Sequence, residues 1–253
     1  MAGKKKKKIR VVVLFLWVLL LLLFAFGVYL FIHSDFFTIE NVEVTGNVRV
    51  GKDAILHLGD IEIGSNMFML DTKLTEKYIE IHQLIKDATI HRRIPSTIEI
   101  EIQEREPWAQ LMVRDKCIII DDTGIYMEDS PYISNDTELL LISLDDEYKE
   151  PLNFGQPICP EACKLIKAVY EALTPTFCKE EISEYYYNTK DNMLTLYTIA
   201  GTEIRFGNLD RLEMKIGYMK EIQKTEQENN SSGQGNLLYV DMRFEGLPTI
   251  RDI

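Results

Sequence analysis

An uninterrupted apolar run, Val11 to Ile32, follows directly on Lys4–Lys8 and Arg10. As a helix rising about 1.5 Å per residue, this run reaches roughly 33 Å, the hydrocarbon thickness of a bilayer. It contains no charged side chain, and six cations precede it. That asymmetry predicts a cytoplasmic N-terminus. Residues 1–10 therefore read as a basic cytoplasmic tail and 11–32 as a transmembrane helix, with everything from His33 onward outside the membrane. A cleaved signal peptide is the competing reading, since Ala25-Phe26-Gly27 loosely resembles a small-x-small site. However, Val28–Ile32 stays apolar where a cleavage region turns polar, so an uncleaved anchor is preferred. A buried core helix would not be uniformly apolar beside a pentalysine.

Charge then narrows the partners. Six of the 28 Lys and Arg lie in the first 32 residues, with no acid among them, so the remainder carries 22 cations against 40 acids, a net −18. Nucleic-acid binding needs a basic footprint, and anionic lipid would repel this charge. About 220 exterior residues suffice for one or two domains with their own cores.

Along the exterior chain, Phe37–Val44 is strand-like and ends at the turn signal Gly46-Asn47. Lys52–Leu58 predicts a short helix stopped by Gly59. A second helix starts near Asp71, a suitable N-cap, with Leu70, Leu74, Tyr78, Ile81 and Ile85 expected on one apolar face. Ala88–Arg92 reads as a strand, Ile94-Pro95-Ser96 as a turn, and Thr97–Gln103, which alternates strictly, as a half-buried strand. The order strand, helix, helix, strand, strand predicts two helices covering one face of a three-stranded sheet over residues 36–106.

Pro107 marks a boundary, and 107–253 reads as a β-rich domain with two flanking helices. Its expected strands are Ala109–Val113, Cys117–Asp121, Ile125–Met127, Leu139–Leu144, Glu184–Tyr187, Met193–Thr198, Glu203–Phe206 and Leu237–Phe244. Leu247–Ile250 either extends the last strand or adds one. Pro160–Leu173 is one helix, with proline suited to its first turn. Leu209, Leu212, Ile216, Met219 and Ile222 stripe the other. Glu226–Gly235 is polar and reads as a loop. The fold class is α+β: one transmembrane helix, a small β-α-α-β-β domain, then the larger β-rich domain.

Catalytic motifs such as His-Glu-x-x-His, Gly-x-Ser-x-Gly or a Gly-rich phosphate loop are missing from the sequence. All four histidines (His33, His57, His82, His91) precede Cys117, so a Cys–His pair would have to bridge two domains. The expectation is a protein that holds others, without enzymatic activity, cofactor or metal. Cys117, Cys159, Cys163 and Cys178 lack a nearby histidine to complete a zinc set. They leave open a disulfide from Cys178 to Cys159 or Cys163, with unpaired, partly buried thiols preferred.

Several motifs, in order, resemble those of the bacterial cell-division family FtsQ/DivIB, whose first exterior unit is a POTRA domain. They are Ile39–Asn47, Gly64–Asp71, Arg93–Ile100 with Glu104–Pro107, Ile119–Ile125, Ile204–Gly207, Lys215, and Tyr239–Phe244. The resemblance implies a non-enzymatic divisome scaffold at the septum. It implies binding to FtsB/DivIC-like and FtsL-like bitopic proteins, contacts with other division proteins at the POTRA unit's sheet edges, and help in controlling septal peptidoglycan synthesis. It further implies that the last strands pair with a partner strand, a β-augmentation. The partner-binding residues carried over are Tyr239, Arg243, Phe244, Glu245, Gly246, Leu247, Thr249 and Ile250. Arg243 is expected to meet a partner carboxylate, Phe244 an apolar groove, and Lys215 a carboxylate of this chain. Proline at Phe244 is expected to block pairing. Leu237–Phe244 serving only as an interior strand is the competing reading. Two departures stand out. The sequence stops three residues after Ile250, where some relatives carry a long tail. Asp145–Cys178 fits the family pattern poorly and has no assigned role. The alternative functions are a membrane-anchored extracellular sensor, for which the cytoplasmic tail is short, and an envelope transport or assembly module, for which one unit without a barrel is atypical.

Overall fold

The computed structural model describes residues 2–131, 139–173, 181–232 and 237–252. The chain forms two compact units, 1–104 and 105–253. Each has a separate hydrophobic core.

The first unit opens with α1 (Ala2–Ile32), within which Val13–Ile32 is long and apolar enough to cross a membrane. A 3₁₀ turn at Asp35–Phe37 leads to β1 (Asn41–Thr45), α2 (Lys52–Leu58), α3 (Thr72–Glu80), β2 (Ile85–Arg93) and β3 (Thr97–Glu104). The sheet order is β1-β3-β2, with β1 parallel and β2 antiparallel to β3. Register places Val42 opposite Ile98 and Ile90 opposite Ile100, so alternate apolar side chains stack on the core face. Gly46 ends β1 at φ +78°, where a Cβ would lie 2.1 Å from the Ile102 carbonyl oxygen, so glycine is required there.

Helix α3 departs from the predicted apolar stripe. Leu74, Tyr78 and Ile81 are exposed, whereas Thr75, Glu76 and Ile79 are buried. The reason lies in the sheet edge. Glu76 accepts the N–H of Ile90 at 3.0 Å, and Glu80 accepts that of Ala88 at 3.3 Å. These donors face outward from β2, and the helix turns its glutamates inward to satisfy them. Burial pushes the Glu76 carboxyl up, but the bonds from Lys73 and Ile90 outweigh it and hold it low. On the opposite edge, the Lys52 ammonium donates to the Val42 carbonyl at 2.5 Å. Each edge of this sheet thus has some of its outward backbone groups bonded by side chains of the same unit.

The second unit holds β4 (Ala109–Val113), β5 (Lys116–Ile120), β6 (Tyr126–Ser130), β7 (Leu140–Leu144), α4 (Pro160–Ala172), β8 (Ile182–Asn188), β9 (Met193–Thr198), β10 (Glu203–Gly207), α5 (Leu212–Ser232), β11 (Leu237–Asp241) and β12 (Thr249–Asp252). They build one nine-stranded sheet, ordered β12-β11-β10-β9-β8-β7-β4-β5-β6. Pairs β7–β8 and β10–β11 are parallel, and each needs a crossover, supplied by α4 and α5. The segment from Asp145 to Leu173, without an assigned role in sequence, is the described part of the first crossover. The two helices touch each other, and Ile166, Val169, Met219 and Ile222 bury against Tyr185, Leu194, Leu196, Ile204, Phe206 and Val240.

The predicted loop from Glu226 is corrected: α5 continues to Ser232. Glu226 is buried and accepts hydrogen bonds from the hydroxyls of Thr198 and Thr202, while Gln223 donates to Glu181 at 2.9 Å. Polar side chains here face the sheet's turn, so their polarity carries helix instead of loop.

Candidate partner-binding edge

The nine-stranded sheet ends in β6 on one side and β12 on the other. The start of β6 is covered: Tyr126 donates its N–H to Gln156 at 3.0 Å, and Gly155 donates to Tyr126 at 2.9 Å. Among the described residues, nothing lies along the outer side of β12.

Backbone alternation tells which groups β12 presents. Met242 donates its N–H to Arg205 at 3.0 Å, so even-numbered residues at the end of β11 face β10. Tyr239 and Asp241 then face β12, opposite Arg251 and Thr249. Ile250, opposite Val240, is left with its N–H and C=O turned away from the sheet, while Asp252 pairs with Leu237 beyond a register shift. This strand therefore offers an outward donor and acceptor at Ile250, the kind of group a β-augmenting partner uses.

Between β11 and β12, residues 242–248 form an irregular loop. Phe244, Leu247 and Ile250 are 70%, 86% and 55% exposed, an apolar rim beside the open edge. Glu245 and Gly246 are exposed in the same loop. On the sheet face away from the helices, the Arg205 guanidinium lies 4.6 Å from the Tyr239 ring centroid and donates to Glu203 at 2.7 Å.

Four expectations change. Leu237–Phe244 is not one edge strand: β11 stops at Asp241 and is interior, and the edge is β12. Phe244 is outside the ladder, so proline there removes no ladder donor. Arg243 is bound within the chain, its guanidinium donating to Asp241 at 2.6 and 3.0 Å and its backbone N–H at 3.1 Å. The bonds from Arg243 hold the Asp241 carboxyl below the usual range. Lys215 does not serve a carboxylate. It is buried, donates to the Asn208 carbonyl at 2.8 Å and lies 4.9 Å from the Phe206 ring centroid. Burial, reinforced by Arg211, pushes its pKa down.

These contacts position the loop. Arg211, at φ +57°, donates to the Phe244 carbonyl at 2.6 Å. Gly207, at φ +83°, leaves room for Arg243, whose Cγ would stand 3.2 Å from an added Cβ. Sequence reasoning missed Arg205, Arg211 and Asp241. The spacing Asp241-x-Arg243 was the available signal, since flanking residues at that distance can pair across a strand end.

Cys159 and Cys163 are free and buried at the start of α4, and Cys117 is half-buried; Cys178 lies outside the described residues. Burial, with Cys159 and Asp121 nearby, pushes the Cys163 thiol up to about 12. Since the thiolate is the reactive form, Cys117 is expected to be alkylated before Cys159 and Cys163 at pH 8, which should react only on unfolding. Peptide mapping of iodoacetamide adducts over time checks this; equal early labelling of Cys163 would contradict its burial. Among the described residues, no three His, Cys, Asp or Glu side chains are grouped as a metal would need.

The described residues thus combine an apolar helix, a β-α-α-β-β unit and a β-rich domain whose sheet ends in the edge strand β12. Residues 37–105 match the model of the POTRA domain, FtsQ-type, and 111–243 match that of the cell division protein FtsQ/DivIB C-terminal region. The cell division protein DivIB of Clostridium botulinum (strain Hall) is 26% identical over 224 residues, 87% of this chain and 84% of that one. The FtsQ of Syntrophotalea carbinolica is 30% identical over 198 residues, 75% of this chain and 66% of the relative. The DivIB of Bacillus subtilis is 26% identical over 178 residues, 69% and 62% of the two chains. The chain belongs to the FtsQ/DivIB family of cell division proteins.

Proposed function

We propose that this protein is a non-enzymatic scaffold of the division machinery. It is anchored in the cytoplasmic membrane by Val13–Ile32, with its basic N-terminus inside and both folded units outside. It binds small bitopic proteins of the FtsB/DivIC and FtsL kind at the septum by adding a partner strand to β12, and so helps to control septal peptidoglycan synthesis. The observation that carries this reading is the edge strand β12, with the backbone groups of Ile250 turned outward near the exposed Phe244 and Leu247.

The test is affinity purification of the tagged full chain from detergent-solubilised membranes of dividing cells, with mass spectrometry of what is retained. Recovery of small single-span division proteins in stoichiometric amount is expected. A folded chain that retains none of them would refute the scaffold reading.

A further inference from the structure

The segment Gly64–Asp71, singled out in sequence, belongs to the first unit and has no part in the β12 edge. Its geometry ties it to the end of α1. The Asn66 side-chain amide donates to the carbonyl of Ile32, the last residue of that helix, at 2.9 Å, and lies 3.4 Å from the Ser34 carbonyl. The final carbonyls of a helix have no partner within it, so Asn66 acts as a C-terminal cap supplied by a distant loop.

The loop is itself held firmly. Gly64 donates to Ile39 at 2.9 Å, Ile39 to Ser65 at 2.8 Å and Met67 to Phe37 at 2.9 Å. The Asn66 Oδ1 accepts the Phe68 N–H at 2.9 Å. Arg92 reaches in from β2, donating to the carbonyls of Met67 at 2.9 Å and Leu70 at 2.6 Å. Rings of Phe31, Phe36, Phe37 and Phe68 follow one another at centroid spacings of 4.9 to 5.8 Å. Despite this order, large apolar side chains stay uncovered: Phe36 is 57%, Phe68 38% and Met69 60% exposed.

What covers them follows from the span. The twenty residues Val13–Ile32 are about 30 Å long as a helix, matching the hydrocarbon core, so Ile32 sits at its boundary. Asn66 is hydrogen-bonded to that residue, and Phe68 and Met69 follow within one turn. We propose that Phe36, Phe68 and Met69 form an apolar collar immersed in the lipid interface of the outer face, seating the POTRA unit on the bilayer through the Asn66–Ile32 bond. The occupant is phospholipid acyl chain and glycerol backbone, bound by burial of apolar surface, since the surrounding charges are mixed: Asp35, Glu62 and Asp71 against Arg92.

This inference rests on the membrane anchoring proposed above, and the experiment separates the two. The full chain is reconstituted in phosphatidylcholine vesicles brominated high on the acyl chain, and tryptophan quenching is measured. In a Trp108→Phe background, native Trp17 reports insertion of the helix. In a Trp17→Phe, Trp108→Phe background, single tryptophans are placed by Phe68→Trp, Met69→Trp or Val48→Trp. Val48 is 89% exposed, beyond the far end of β1 and roughly 20 Å along that strand from the junction. The expected result is quenching of about twofold or more for Trp17 and for both collar positions, with blue-shifted collar emission and none at position 48. Quenching of Trp17 with the two collar positions no more quenched than position 48 would overturn the collar and leave the anchor standing. An unquenched Trp17 would overturn both.

Discussion

Ile250→Pro is expected to lower recovery of the strand-pairing partner at least tenfold while the β domain keeps its unfolding transition. The residue sits in β12 opposite Val240, and its N–H and C=O point away from β11. Proline there deletes an outward donor and sets its ring against an incoming strand, but removes no bond inside the sheet. Proline is tolerated on an edge strand when the missing N–H would face solvent. Residue Thr249, which precedes it, is already extended, as a residue before proline must be. A lost backbone bond of about 1 kcal/mol plus the steric conflict passes the roughly 1.4 kcal/mol that separates tenfold affinities. Thr249→Pro is the contrasting variant: its N–H faces β11, so that change should loosen β12 itself and shift the melt. Quantitative affinity purification of the full chain, alongside circular-dichroism melts, distinguishes the two. Undiminished partner recovery by a folded Ile250→Pro chain would mean that β12 is not the docking edge.

The same alternation explains why some of this was legible in sequence and some not. The unit from β1 to β3 was readable because Thr97–Glu104 alternates with period two and the turn residues Ile94–Ser96 precede it; β2 runs longer than the expected Ala88–Arg92, and Ile85, expected on the helix face, is its buried first residue, set apart by a register shift. Helix α3 misled because counting apolar residues finds Leu74, Tyr78 and Ile81, whereas the helix is oriented by Glu76 and Glu80 reaching the donors of β2. Buried polar residues with a partner are invisible to a hydrophobic pattern. The same blindness turned the end of α5 into a loop, since nothing local marks Glu226 as the acceptor of two threonine hydroxyls. Strand order was out of reach as well. Whether Leu237–Asp241 lies inside or at the edge depends on β12, a four-residue strand. The eight residues assigned from the family motif lie together at one end of the sheet: Thr249 and Ile250 are in β12, Tyr239 is one strand inward, and the others lie in the loop between. Their roles differ. Arg243 is committed to Asp241, so reversing its charge would also disturb the loop, and the backbone of Ile250 is the cleaner target.

The largest stability effect is expected at Asp121→Ala, with a loss of about 3–5 kcal/mol from the β domain. Asp121 is 2% exposed and meets Arg105 at 2.7 Å, itself mostly buried. One carboxylate oxygen also accepts the N–H groups of Thr123 and Ile125, both at 2.9 Å, and the Thr123 hydroxyl at 2.7 Å. Removing the carboxylate therefore strands a guanidinium and two backbone donors together. Burial alone would push the Asp121 pKa up; the bonds from Thr123, Ile125 and Arg105 outweigh it and hold the pKa down. A carboxyl depressed in the folded state adds stability that is fully present above its unfolded value, about 3.9, and is lost as pH falls through the folded value. At neutral pH the contribution is whole, and it fails only in acid. Asp121→Asn keeps an acceptor for the turn and loses the charge facing Arg105, so it should fall between wild type and alanine and flatten the acid limb of the stability curve. Trp108, whose N–H bonds Ile120 at 2.9 Å next to this site, reports the transition by fluorescence during urea unfolding of the full chain in detergent. If the pairing argument is right, Arg105→Met combined with Asp121→Asn costs less than the sum of the two single changes, because no buried charge is then left without its partner. Strict additivity would show that the turn bonds, and not the ion pair, carry the effect.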